Sequence, residues 1–262
     1  MNMSSPIPIL IDFDGVINLY GKPAPYTKEF LDFLVEQKLS SFILSNSTLK
    51  TSEDVRNFLR ENNLPANMPI MTASDAALKY VENNYKRVSV YCVDKVKEEF
   101  KNYIDDNIPQ AVIVGDMADN WSVEIINEIF LKVHNGADLV AMHMNKYWSP
   151  EKNKLLLDAG SFISAIEYAA SKKAILIGKP SPIYFQTALE MIGYSAQSSF
   201  IMVGDDIESD IKPTQQLGGT SILILTGKTK LPLSQNLKMK PDFIVNDLSE
   251  VIEVLKKYYS LY

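Results

Sequence analysis

Two acids, Asp12 and Asp14, stand one residue apart in "IDFDGVI" (11–17), where an apolar run gives way to Gly15. Ile9-Leu10-Ile11 reads as a short buried strand bounded by Pro8 and Gly15. Alternate residues of a strand share a face, so the two carboxylates would point the same way, roughly 6–7 Å apart if the strand continues. Like charges that close are tolerated when solvated, when one holds a proton, or when a cation sits beside them. The pair is therefore either a solvated turn or a divalent-metal or catalytic site at the carboxyl end of a parallel strand, where open α/β sheets place their ligands.

Three further clusters follow apolar segments. "SFILS" (41–45) runs into Asn46-Ser47-Thr48. Hydroxyls and amides at such a point cap the next helix or donate to phosphoryl oxygens. "AILIG" (174–178) leads to Lys179-Pro180. A lysine there is either solvated surface or, with its backbone restricted by the proline, a fixed ammonium able to neutralise a phosphate or quiet Asp12. "SFIMVG" (199–204) leads into Asp205, Asp206, Glu208 and Asp210. Four acids in six residues are either an acidic helix N-terminus or a group that needs a cation if buried. Asp205 follows a buried strand as Asp12 does, and carboxylates from two strand ends suit a hard cation such as Mg²⁺. "TGKT" (226–229) is not a P-loop, because Ile222 stands where the required glycine would be. "DFDG" is not a calcium loop, because Val16 and Pro23 occupy ligand positions.

Alternating strand-like and helix-like segments must position these residues. Helices are expected over 26–38, 52–63 (Ser52 as N-cap), 75–85, 95–105, 122–133, 161–171, 181–193, 208–218 and 248–259. Strands are expected over 41–45, 87–93, 110–115, 138–144, 174–178, 199–204, 220–225 and 242–246. This alternation predicts an α/β fold with a mainly parallel sheet. No low-complexity tract, long linker or fixed-period repeat is visible, and composition alone does not divide the chain.

Bulk properties narrow the chemistry. The 262 residues, 46% of them hydrophobic, suffice for one large domain or two modest ones. A net charge of −6 argues against a nucleic-acid partner, whose phosphates want a basic surface. Cys92 is the only cysteine, which excludes an intrachain disulfide and a thiolate metal site. His134 and His143 are the only histidines, too few for a His-rich zinc site. The N-terminal "MNMSSPIPIL" lacks a signal-peptide pattern and no apolar run reaches membrane-spanning length, so the expected location is the cytoplasm, away from any membrane.

Taken in order, Asp-x-Asp-Gly, Ser-Asn, Gly-Lys-Pro and Gly-Asp-Asp-x-x-x-Asp, each after an apolar strand, resemble the haloacid dehalogenase-like phosphatase superfamily over about Ile7 to Tyr258. The long insertion between Asn46 and Lys179 resembles the class whose α/β cap lies between the second and third motifs. "LLLDAGSFISAIEYA" (155–169), "GKPSPIYF" (178–185) and "VGDDIESDI" (203–211) are similar to the phospholysine phosphohistidine inorganic pyrophosphate phosphatase branch. The resemblance implies a Rossmann-like catalytic core over 1–80 and 179–262, and a cap over 81–178.

It further implies Mg²⁺-dependent hydrolysis of a small phosphorylated metabolite through an aspartyl-phosphate. Asp12 would be the nucleophile and Asp14 the general acid and base. Ser45, Asn46 and Lys179 would hold the phosphoryl group, with Lys179 also catalytic. The metal would be bound by Asp12, the Asp14 carbonyl and Asp205, with Asp210 acting mainly through the metal's waters. A pyrophosphatase or P–N-bond hydrolase is the enzymatic alternative; a phosphoryl-acceptor domain or a degenerate scaffold is the non-enzymatic one. "VGDMADNW" (114–121) and "MHMNKYW" (142–148) depart from the class motifs, so Asp116, Asn145, Lys146, Tyr147 and Trp148 are the expected specificity residues. Tyr147 and Trp148 read equally well as cap core or as a homodimer contact.

Overall fold

The computed structural model describes residues 7–151, 154–233 and 240–261. The chain is α/β and divides into two compact units. The first comprises 1–45, 53–71 and 185–262; the second, inserted, comprises 46–52 and 72–184. The division groups Asn46, Thr72–Tyr80 and Lys179 with the inserted unit.

The first unit is built on a six-stranded sheet in the order Phe243–Val245, Thr220–Ile224, Ile201–Gly204, Ile9–Asp12, Ser41–Ser45, Ile70–Thr72. Pairing is parallel from Phe243–Val245 across to Ser41–Ser45. Ile9–Asp12 and Ile201–Gly204 are buried along their whole length, as strands covered on both faces must be. Helix Thr27–Glu36 buries Phe30, Leu31 and Leu34. Helix Leu248–Tyr259 buries Leu248, Val251 and Leu255, and Asp247 caps its N-terminus by accepting from the Ser249 and Glu250 N–H groups. The two helices pack together over one face of the sheet core.

The inserted unit has a four-stranded parallel sheet, ordered Ile175–Leu176, Asp138–Ala141, Ala111–Val114, Val88–Tyr91. Helices Val123–His134 and Ala159–Ala170 pack on each other and turn Ile129, Val133, Ile163 and Ile166 into its core. Trp121 stacks on Phe162 with ring centroids 4.4 Å apart.

Three local expectations are corrected. The helix expected over 95–105 is a single α-turn, Asp94–Lys97, followed by a 3₁₀ turn, Glu98–Phe100. The chain then lies along the edge of the inserted sheet, where Val88 N–H donates to the Tyr103 carbonyl (2.8 Å) and Asp105 N–H to the Val88 carbonyl (3.0 Å). The open edge competes for the same backbone groups that a longer helix would use. Ser52 is already a helical residue of Ser52–Glu61, and its hydroxyl donates to Asp75 instead of capping. A hairpin, Tyr147–Glu151 with Lys154–Leu157, occupies a stretch in which no strands were expected.

His143 is buried in the inserted unit. Asn145 N–H donates to its Nδ1 (3.3 Å), and Nε2 lies 3.7 Å from Asp158 Oδ1. Burial pushes the imidazole below its ordinary value, against the pull of the Asp158 and Asp116 carboxylates. Below about pH 6.5 the unfolded chain therefore gains a proton that the folded chain resists, and stability falls as pH drops towards the folded value. Urea midpoints at about pH 7.5 and about pH 5.5 should differ less in His143→Asn than in the wild type. An equal acid loss in both proteins would contradict this.

Candidate active site

The strand order reverses at Ile9–Asp12. From there the chain adds Ser41–Ser45 and Ile70–Thr72 on one side, and Ile201–Gly204 and its successors on the other. A crevice at the carboxyl ends of such a pair is the usual ligand position in open α/β sheets. Asp12 ends one of these two strands and Asp205 directly follows the other, in a register that pairs Ile11 with Val203. Asp210 joins them from the π-helical turn Ile207–Ile211. The three carboxylates offer oxygens within 4.8 Å of one another. Asp12 is 7%, Asp205 5% and Asp210 0% exposed.

Backbone donors hold each acid. Phe13 N–H donates to Asp12 Oδ1 (2.8 Å), Lys228 N–H to Asp205 Oδ2 (2.5 Å) and Asp206 N–H to Asp210 Oδ2 (3.1 Å). Gly15 and Gly227 press so closely on Asp205 that a Cβ at either would overlap its carboxylate, and Gly15 also adopts φ +92°. The donor set is hard oxygen throughout, with no histidine or thiolate in the cluster. Three buried carboxylates in so small a volume fit a hard divalent cation of the Mg²⁺ type.

The segment 226–229 was not expected at the site, yet it wraps Asp205. Thr226 Oγ1 donates to the Gly15 carbonyl (2.6 Å) and Thr229 N–H to the Asp205 carbonyl (3.1 Å). Lys228 pairs with Asp206. Burial would raise the Asp206 carboxyl, but the Lys228 ammonium and the Glu208 N–H outweigh it and hold the group below its usual value. Burial would lower the Lys228 ammonium, but Asp206 chiefly, then Asp205 and Asp210, raise it. The available sequence signal was position: the segment leaves Thr220–Ile224, the strand beside Ile201–Gly204.

Asp14 does not extend the strand. The chain turns immediately after Asp12, with Ile17 and Asn18 N–H both donating to the Phe13 carbonyl (3.0 and 2.8 Å). Asp14 is exposed in this turn, where it accepts from Asn18 Nδ2 (2.7 Å) and Ser45 Oγ (3.3 Å). Ser45 is fully buried at the end of Ser41–Ser45. Asn18, itself buried, is a positioning partner that sequence spacing did not single out.

Asn46 and Lys179 lie in the inserted unit, where Asn46 Nδ2 donates to the Lys179 carbonyl (3.3 Å). Lys179 is buried, so the solvated-surface reading of it is removed. Asp116 Oδ1 accepts from Ala118 N–H (2.9 Å), while its own N–H donates to Thr48 Oγ1 (2.9 Å). Asn145 and Lys146 are exposed, and their carbonyls accept from the start of helix Ala159–Ala170: Gly160 N–H to Asn145 (3.0 Å), Ser161 Oγ to Lys146 (2.5 Å). Tyr147 is 61% exposed, which removes the reading of it as core. Trp148 pairs with Leu156 through the backbone; its side chain lies outside the described residues.

Known proteins are similar to this chain in both sequence and fold. The family described as "Haloacid dehalogenase-like hydrolase" matches residues 9–104, and that described as "HAD-hyrolase-like" matches residues 176–251. The chain is 27% identical over 234 residues to the rat (Rattus norvegicus) haloacid dehalogenase-like hydrolase domain-containing protein 2, covering 89% of each. It is 28% identical to the human (Homo sapiens) phospholysine phosphohistidine inorganic pyrophosphate phosphatase, over 95% of this chain and 94% of that one. The crystal structure of a 4-nitrophenylphosphatase from Thermotoga maritima superposes with a TM-score of 0.84 at 26% identity, covering 95% of this chain and 97% of the other. The two matched segments carry Asp12, Asp14, Ser45 and Asn46 in the first and Lys179, Asp205 and Asp210 in the second, and on these grounds the chain belongs to the haloacid dehalogenase-like hydrolases.

Proposed function

We propose that this hydrolase is a Mg²⁺-dependent phosphatase of small phosphorylated metabolites. The observation that carries the reading is the buried cluster of Asp12, Asp205 and Asp210 at the reversal of strand order. Asp12, Asp205, Asp210 and the Asp14 carbonyl would hold the cation, with Asp210 engaging it mainly through water. A cation held there would neutralise the approaching phosphate and the developing charge.

Asp12 attacks phosphorus and forms an aspartyl-phosphate as the P–O bond to the leaving group breaks. Asp14 gives its proton to the departing oxygen, then takes one from the water that hydrolyses the acyl phosphate. Its exposed turn, held by Asn18 and Ser45, supports this role, because a general acid must reach both substrate and water. Ser45, Asn46 and Lys179 hold the phosphoryl oxygens, and Lys179 also stabilises the nucleophile. Residues 1–80 and 179–262 act as the catalytic core and 81–178 as the cap. The cap excludes bulk water and reads the rest of the substrate through Asp116, Asn145, Lys146, Tyr147 and Trp148. The name of the human relative favours a second reading, hydrolysis of pyrophosphate or of a P–N bond by the same machinery. A phosphate-release screen that sets phosphomonoesters against pyrophosphate and phosphoramidates separates the two.

Three outcomes test the proposal. Chelation should abolish activity and Mg²⁺ restore it; Mg²⁺ should also raise the thermal midpoint of the wild type but not of Asp210→Asn. Undiminished turnover after exhaustive chelation would refute the metal requirement. Asp12→Asn should abolish turnover with the fold intact, and Asp14→Asn should lose on the order of 10²–10⁴-fold. The Asp14→Asn loss should be smaller for 4-nitrophenyl phosphate, whose leaving group needs little protonation; equal losses for good and poor leaving groups would contradict the acid role. Lys146→Ala and Asp116→Ala should alter KM for the preferred metabolite yet leave 4-nitrophenyl phosphate hydrolysis within about tenfold. Parallel losses on both substrates would remove these residues from specificity.

A further inference from the structure

Asn46 presents a side-chain amide in an arrangement that a simple phosphate ligand does not need. Its Nδ2 donates to the main-chain carbonyl of Lys179 (3.3 Å). Its Oδ1 is buried and accepts no hydrogen bond among the described residues. That oxygen lies against Gly178, where any Cβ would overlap both it and the Met142 carbonyl. The reverse orientation of the amide would set two acceptor oxygens, Oδ1 and the Lys179 carbonyl, against each other. An unsatisfied buried oxygen is costly. The amide bears that cost in the orientation that keeps its bond to Lys179.

The main chain at Lys179 is thus held from two sides. Ile177 and Gly178 N–H donate to the Ala141 and Met142 carbonyls (both 2.9 Å), which continues the sheet register on one side. Asn46 supplies the other. Asn46 is itself anchored independently of Lys179, because its own segment is fastened elsewhere in the inserted unit. Thr48 Oγ1 accepts from Asp116 N–H (2.9 Å), and Ser52 Oγ donates to Asp75 Oδ1 (3.4 Å). An anchored donor on one side and a sheet on the other fix where the Lys179 side chain begins.

We infer that Asn46 is a positioning residue for Lys179: its amide fixes the main chain that carries the ammonium. The inference rests on the proposed role of Lys179, and it changes the part played by Asn46 from ligand to support.

A double-mutant cycle on the full chain separates the two roles, with 4-nitrophenyl phosphate as substrate and the thermal midpoint measured in parallel. Asn46→Ala should lower kcat about tenfold in the wild-type background and less than about threefold in Lys179→Ala, because a support has nothing left to position. Asn46→Asp, which keeps the volume but puts an acceptor against the Lys179 carbonyl, should reproduce the loss, and it serves if the alanine variant is poorly folded. Thermal midpoints close to wild type alongside this non-additivity would support positioning. Equal losses from Asn46→Ala in both backgrounds would overturn it and leave Asn46 an independent ligand. Wild-type activity in Lys179→Ala would instead overturn the proposed role of Lys179, and this inference with it.

Discussion

Three carboxyl groups share one buried spot, and the first unit is organised around tolerating them. Taking a carboxylate out of water costs on the order of several kcal/mol, even after the protein relaxes around it. Asp12, Asp205 and Asp210 incur that cost together. Each recovers part of it from a backbone N–H, and those donors come from three different places: the turn after the first strand, the loop of Lys228, and the start of the turn that carries Asp210. The glycines at 15 and 227 let that scaffold close on Asp205 without a side chain in the way. Three carboxylates that offer oxygens within 4.8 Å of one another form a donor set that a hard cation suits.

The residues implicated in the proposed chemistry divide between the two units. The first unit carries the acids and Ser45; the second carries Asn46, Lys179 and the residues proposed to read the substrate. The second unit holds its set with short-range devices. Asp158 caps helix Ala159–Ala170, and the carbonyls of Asn145 and Lys146 take donors from the same helix end. The loop that carries Asn145 and Lys146 is therefore tied to a rigid element while their side chains stay exposed.

Much of this was legible in the sequence, for a physical reason. Buried parallel strands are short apolar runs, and a charge directly after such a run, as at Asp12 and Asp205, marks a strand's carboxyl end. Interactions between distant segments left no such mark. Lys228 sits in a segment with no distinctive composition, and only the neighbouring positions of two strands bring it to Asp205. The turn that takes Asp14 off the strand depends on the Phe13 carbonyl receiving two N–H groups, which alternation cannot foresee. The false helix over 95–105 arose because its pattern permits a helix, while the open edge at Val88 claims its backbone. The hairpin of Tyr147–Glu151 and Lys154–Leu157 escaped notice because the Lys154–Leu157 strand is exposed at every residue and so lacks alternation.

The insertion also sets an order on biosynthesis. The strand Ile9–Asp12 lies in the middle of its sheet, yet one of its two neighbours, Ile201–Gly204, is made only after the whole inserted unit. During vectorial synthesis the inserted unit has all its strands by residue 176, while the N-terminal strand still has an open hydrogen-bonding edge. The nascent chain thus carries an exposed, wholly apolar strand end, "ILI", for the time needed to make nearly two hundred residues, at about 5–20 residues per second. Long-range parallel pairing of this kind closes slowly and late.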